Sequence, residues 1–147
     1  MQPLQFLVPV DALAAFEGLL KYVILGLVLV NMVTRIVAHQ KQKQQAASGD
    51  HEDVTRWLPH SVTTLLLVLA SFAFLIVEPH GGMVMSVLVL GVFVADLFEF
   101  ESRKVEVRND MKFERPKAAI TASLVVLLYA AYQSLFFLVA DYWELIV

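Results

Sequence analysis

The sequence predicts an all-α membrane protein: a four-transmembrane-helix bundle with a small cytoplasmic β-hairpin between helices three and four. Three observations lead there. Hydrophobic residues make up 59% of the 147 positions, above the ~45–50% usual in soluble domains, and mean hydropathy is +0.69. Charged residues are only 17%, and they cluster, leaving whole stretches without any. Four stretches are long enough to cross about 30 Å of hydrocarbon at ~1.5 Å per residue. A soluble bundle needs a polar stripe on each helix, and the second and third stretches lack one. Residues 1–147 are therefore read as a single integral membrane domain.

The first span covers about residues 12–38, with Asp11 after Pro9 as its N-cap. It carries Glu17, Lys21, Asn31 and Arg35, so its apolar core is only Tyr22 to Val30. The second span, 59–77, is continuously apolar through Leu65 to Ala70. The third, 83–98, is short and runs on toward polar residues. The fourth starts at Pro116, a residue suited to a first helical turn, and continues to 143. Glu78-Pro79-His80-Gly81-Gly82 reads as a tight turn, so spans two and three form an antiparallel hairpin. The start, Met1-Gln2-Pro3-Leu4, has no basic region and no cleavage signature follows, so it is read as mature chain.

Charge sets the expected orientation. Of eleven basic residues, Arg35, Lys41, Lys43 and Arg56 lie in or beside the first connection. Arg103, Lys104, Arg108, Lys112, Arg115 and Lys117 lie in the third; Lys21 alone lies elsewhere. With four crossings these two connections share a side, which the positive-inside rule makes cytoplasmic. Both termini are then extracellular, and loops 39–57 and 99–115 cytoplasmic. Trp57, Tyr142 and Trp143 fall at the interfaces, where amphipathic aromatics concentrate.

Within the cytoplasmic loop 39–57, the Lys/Gln run is expected to extend the first helix, ahead of the polar segment Ser48 to Asp53. Residues 104–114 alternate. Val105, Val107, Met111 and Phe113 hold odd positions, and Lys104, Glu106, Arg108, Asp110, Lys112 and Glu114 hold even ones. Period two predicts strand. A three-residue loop, Arg108-Asn109-Asp110, sets Val107 opposite Met111 and Val105 opposite Phe113, with Glu106 facing Lys112 and Lys104 facing Glu114. The apolar strip Val105, Val107, Met111 and Phe113 is then a partner-docking surface.

In the first helix, Glu17, Lys21, Ile24, Val28, Asn31 and Arg35 follow one another at spacings of four and three, forming one stripe. Intramembrane polar groups face protein or water. Glu17 and Lys21 can pair one turn apart, and Arg35 lies at the depth of Asp96, with which it can form a bridge. The commoner behaviour is for charges to snorkel to the interfaces, with Asn31 alone bonding between helices. His60, His80 and His39 invite a haem reading, but axial histidines must project from facing helices, and His60 and His80 stand at opposite ends of the second. Asp50-His51-Glu52-Asp53 is read as a solvated acidic run, because four adjacent residues converge poorly on a metal. Tyr129, Tyr132, Phe136 and Phe137, with Gln133-Ser134, could line a quinone or lipid pocket; packing is the commoner role. Gly91-x-x-x-Ala95 and Ala130-x-x-x-Ser134 permit close helix approach.

The chain has no cysteine, which excludes disulfides, thiolate metal sites and cysteine nucleophiles. No catalytic motif appears, and a net charge of −3 gives no sign of nucleic-acid binding. The start Met1-Gln2-Pro3-Leu4-Gln5-Phe6 and the block Phe113-Glu114-Arg115-Pro116-Lys117-Ala118-Ala119-Ile120 resemble a family of small uncharacterised membrane proteins of halophilic archaea. That resemblance implies location and fold and supplies no chemistry.

The expectation is a non-enzymatic accessory or scaffold subunit of a membrane complex, without catalytic residues, metal or cofactor. Its partners are the bilayer and other membrane subunits or further copies of itself. The alternatives are a small four-helix transporter, which Glu17 would suit, and a quinone- or haem-binding redox subunit.

Overall fold

The computed structural model describes residues 15–47, 54–109 and 115–146, together with Asp11 and Met111. Four long helices carry the fold: α1 (Glu17–Ala47), α2 (Leu58–Val77), α3 (Pro79–Arg108) and α4 (Lys117–Leu135). A 3-10 turn, Phe136–Leu138, and a short α5, Ala140–Ile146, follow. All four long helices are long and apolar enough to cross a membrane.

The helices run up, down, up and down, each packed on its sequence neighbours, with α4 closing the ring against α1. Cross-links fix the directions. Ser86 Oγ of α3 donates to the Ser71 carbonyl of α2 at 3.1 Å, while Asp96 lies 3.3 Å from His60 nearer the start of α2. The buried side chains recur at three- and four-residue spacing: Ile24, Val28, Asn31 and Arg35 on α1, Thr64, Leu67, Ser71 and Phe74 on α2. That is the spacing of helices meeting at shallow angles. Leu67, Phe74, Met85, Val89, Val92, Val126 and Ala130 join Ile24 and Val28 in one apolar core. Leu65, Leu69, Val87 and Leu128 point outward and are exposed, as suits helices with lipid for solvent.

The α2–α3 turn is tighter than its composition suggests. Glu78 alone separates the helices, and Pro79 opens α3, so His80, Gly81 and Gly82 are already helical. Proline suits a first helical position, where its missing N–H has no partner to lose. Lys21 of α1 reaches this turn and pairs with Glu78 at 3.6 Å.

At the opposite, basic end, α1 and α3 continue well past what a bilayer requires. α3 has 30 residues, about 45 Å of helix against ~30 Å of hydrocarbon. The two extensions run parallel and are linked by the Arg103–Gln42 hydrogen bond. Val54, Phe100 and Val107 form a second small core there with Ala46. Arg56 and Lys104 lie 4.1 Å and 5.0 Å from the Phe100 ring centroid.

This extension corrects the β-hairpin expected over 104–114. Lys104, Val105, Glu106, Val107 and Arg108 are the last residues of α3, and no strand occurs among the described residues. Asp110, Lys112, Phe113 and Glu114 lie outside them. Val105 is 50% exposed and Val107 7%, so the two do not share a face. Phe100, Arg103 and Val107, spaced three and four, form the inward stripe. The Met111 N–H donates to the Glu106 carbonyl at 2.8 Å, closing the helix end, not crossing to a strand. Two physical reasons decide the outcome. Extending an existing helix gains one hydrogen bond per residue without a new nucleus, whereas a lone hairpin is marginal in water. The charges also pair along the helix: Lys104 with Glu101 at 3.2 Å, Arg103 with Glu99 at 4.0 Å.

Val107→Asp is therefore expected to speed amide exchange over 103–108 about tenfold, since burying a valine contributes ~1.5–3 kcal/mol. Val105→Asp should leave the rate near that of the parent. Equal effects in hydrogen–deuterium exchange would favour the alternating hairpin instead.

The fourth helix also ends early. The expected span to 143 breaks at Leu135, after 19 residues, about 28 Å of helix and close to a bilayer's hydrocarbon thickness. Residues 141–146 of α5 are all exposed, with Asp141, Tyr142, Trp143 and Glu144 among them, the composition of an interfacial segment. The start of α4 is capped from outside. Glu99 Oε1 of α3 accepts the Ala118 and Ala119 N–H groups at 2.8 and 3.2 Å, placing an anion where helix N–H groups lack partners.

Candidate functional site

All four long helices contribute to one polar cluster toward the basic end. Its centre is Arg35, only 2% exposed. Arg35 Nε donates to Asp96 Oδ1 at 3.0 Å and its Nη2 to Asp96 Oδ2 at 2.7 Å. This is the bidentate fork that makes arginine–carboxylate pairs strong. Nη2 also donates to Asn31 Oδ1 at 2.8 Å, and Nη1 to Ser123 Oγ of α4. Ser123 in turn donates to the Ala119 carbonyl at 2.7 Å.

The second helix completes the cluster. Asn31 Nδ2 donates to Thr64 Oγ1 at 2.9 Å and Thr63 Oγ1 at 3.1 Å. Both threonines donate to the His60 carbonyl. His60 bridges two helices, with Nδ1 2.9 Å from Thr34 Oγ1 and Nε2 3.3 Å from Asp96 Oδ2. Burying a charge is tolerable only when it is paired and hydrogen-bonded, and the cluster satisfies both demands for Arg35.

The first-helix stripe thus divides. Asn31 and Arg35 meet Asp96 in the bundle interior. Lys21 stands at the other end, on Glu78. The Glu17 side chain lies outside the described residues, as do Asp50, His51, Glu52 and Asp53. Arg35 does not snorkel; its guanidinium is held inside.

The histidines do not converge. His60 belongs to the cluster, while His80 is exposed in the first turn of α3 at the far end. Among the described residues no group of three or more histidine or acidic side chains is placed to hold a metal. From α4 into the 3-10 turn the aromatics pack along one another: Tyr129 and Tyr132 at 6.2 Å between centroids, Tyr132 and Phe136 at 5.3 Å. Gln133 donates to the Tyr129 hydroxyl at 2.9 Å, and that hydroxyl reaches toward the Gly81 carbonyl at 3.4 Å. Ala130 and Ser134 face the interior, whereas Gly91 is exposed with open space around it.

Sequence reasoning missed His60, Thr63, Thr64 and Ser123. A signal was present. His60, Thr64 and Ser71 are polar at helical spacing in an otherwise apolar helix, a pattern that marks an inward face. Gln42 and Arg103 were missed as well. Arg103 of α3 donates to Gln42 Oε1 of α1, one further layer toward the basic end.

Helices with apolar outer faces surrounding a buried polar cluster define a multi-pass helical membrane protein. The chain belongs to the family DUF7313, described as a domain of unknown function, whose profile matches residues 2–147. No curated protein and no solved structure matches it.

Proposed function

We propose that this protein is a non-enzymatic accessory or scaffold subunit of a membrane complex. The observation that carries this reading is the pairing inside the bundle. Arg35, Asp96, Asn31, His60 and Ser123 are engaged with one another across all four helices, so the most reactive side chains hold the helices together. Contact with partners then falls to the apolar outer faces and to the α1–α3 extension. Other membrane subunits or a second copy of the chain would occupy them. The saline source suggested by the resemblance is supported by an excess of acidic over basic residues, 14 to 11.

Affinity purification of the tagged chain from its native membrane in mild detergent tests this. A partner retained in fixed stoichiometry through size exclusion supports the subunit reading. A lone monomer counts against it.

The proposal includes an orientation: termini outside, loops 39–57 and 99–115 in the cytoplasm. It rests on ten of the eleven basic residues falling in or beside the first and third connections of the sequence. Because the chain has no cysteine, single-cysteine labelling reads it directly. An impermeant maleimide applied to intact cells is expected to label Leu145→Cys and to leave Arg108→Cys unlabelled until the membrane is opened. The reverse pattern would invert the topology.

A further inference from the structure

We propose that a cavity at the basic end, between α1, α2 and α3, binds a phosphate oxyanion, carried by an anionic lipid headgroup or present as free phosphate. The inference stands apart from the subunit reading, since it concerns what the bundle itself holds.

The cavity is about 30 Å³ and its lining includes Arg35, Arg56, Arg103, His60, Gln42, Trp57 and Asp96. Three guanidinium groups therefore meet around a space with one carboxylate. That carboxylate is already engaged, its two oxygens on Arg35 and one of them on His60. The other two arginines have no such partner at hydrogen-bond distance among the described residues. Arg103 is 7% exposed. Its nearest carboxylate oxygen, Glu99 Oε2, is 4.0 Å away, while Glu99 Oε1 caps α4; Asp96 and Glu106 act on Arg103 from farther off. What Arg103 does bond is the neutral amide of Gln42. Arg56 lies 3.9 Å from Glu101 Oε1, an oxygen that lies closer, at 3.2 Å, to Lys104.

A buried guanidinium bonded only to a neutral amide, with its nearest carboxylate oxygen at 4.0 Å, keeps N–H donors for a further acceptor. Arginine forks match the oxygens of a phosphate. Trp57 in the lining is an aromatic of the kind that concentrates at headgroup depth, and Lys41 lies 5.5 Å from its ring. Basic pockets between membrane helices at this depth take anionic headgroups. The volume suits one or two oxygen atoms, so one or two phosphate oxygens enter and the rest of the group stays outside the cavity.

The test uses the full chain purified in a neutral detergent, with ionic strength held constant by chloride. Phosphatidylglycerol, phosphatidylcholine and inorganic phosphate are each titrated. Thermal unfolding and native mass spectrometry give the midpoint shift and the bound stoichiometry. Phosphatidylglycerol is expected to bind one to one and to raise the midpoint above that with phosphatidylcholine. Arg56→Gln and Arg103→Gln should each weaken binding about tenfold or more, the value of a charge-assisted hydrogen bond. Lys43→Gln, exposed on α1 and outside the cavity, should bind as the parent does. Displacement of the lipid by inorganic phosphate assigns the site to the free oxyanion; retention of the lipid alone assigns it to a headgroup. No shift with either ligand, or an equal loss in Lys43→Gln, overturns the proposal. If Arg103→Gln fails to fold, the half-exposed Arg56 gives the deciding variant.

Discussion

Asp96→Asn is expected to lower the stability of the bundle by about 3–5 kcal/mol, the penalty for breaking a buried ion pair from one side. The substitution keeps the shape and removes the charge. It leaves Arg35, 2% exposed, with a guanidinium in a low-dielectric interior and only neutral acceptors in Asn31 and Ser123. Adding Arg35→Met should recover part of the loss, because a buried pair replaced by apolar groups is often nearly neutral. The two substitutions should therefore be non-additive, with a coupling of about 1–3 kcal/mol in a double-mutant cycle. Unfolding in mixed micelles, followed by helical circular dichroism, measures it. An Asp96→Asn variant within about 0.5 kcal/mol of the parent, as for an ordinary surface change, would mean that Arg35 reaches the interface and that the bridge carries little.

Gly82→Ala is expected to cost about 3 kcal/mol or more, the upper range for overpacking a close contact. A Cβ built on Gly82 would collide with Leu75 Cα and Leu75 N. Those are backbone atoms of α2, so no rotamer change relieves the clash. With Glu78 alone joining α2 to α3, the hairpin must splay from its tip. Gly91→Ala, farther along the same helix, is the control. Nothing lies within 4 Å of the added methyl, and alanine is favoured over glycine within a helix by about 1 kcal/mol. Opposite signs for the two variants in the same unfolding assay would show that Gly82 is held by packing and not by helix propensity. Two destabilising results of equal size would remove that argument.

How much of this site was legible varies by residue. Asp96 and Arg35 could be matched by depth alone, since both lie near the basic end. That Asn31 turns inward followed from the cost of polar groups in lipid, whereas snorkelling is the commoner expectation for Arg35 and its buried guanidinium departs from it. His60, Thr34 and Ser123 were not placed, because in a membrane helix the lipid-facing and core-facing sides are equally apolar. Hydropathy then says little about which face turns inward, and only the few polar positions carry that information. The second core, from Val54, Phe100 and Val107, was hidden for a different reason. The same five residues, Lys104 to Arg108, satisfy period two locally and helical spacing once Phe100 and Arg103 are included.

Hydropathy was sufficient for four helices long and apolar enough to cross a membrane, because a backbone in lipid must bond to itself and a helix of about 20 apolar residues is the direct solution. Clustering of charge was sufficient to separate a basic end from an acidic one. The arrangement of the interior was decided by the tertiary structure. Only when four helices close into a ring can Arg35 reach Asp96, Ser123 and Asn31 together. Only the approach of Val54 and Ala46 to the end of α3 gives Val107 a surface to be buried against. Both outcomes depend on contacts between residues far apart in the chain, and a local pattern, however regular, cannot weigh them.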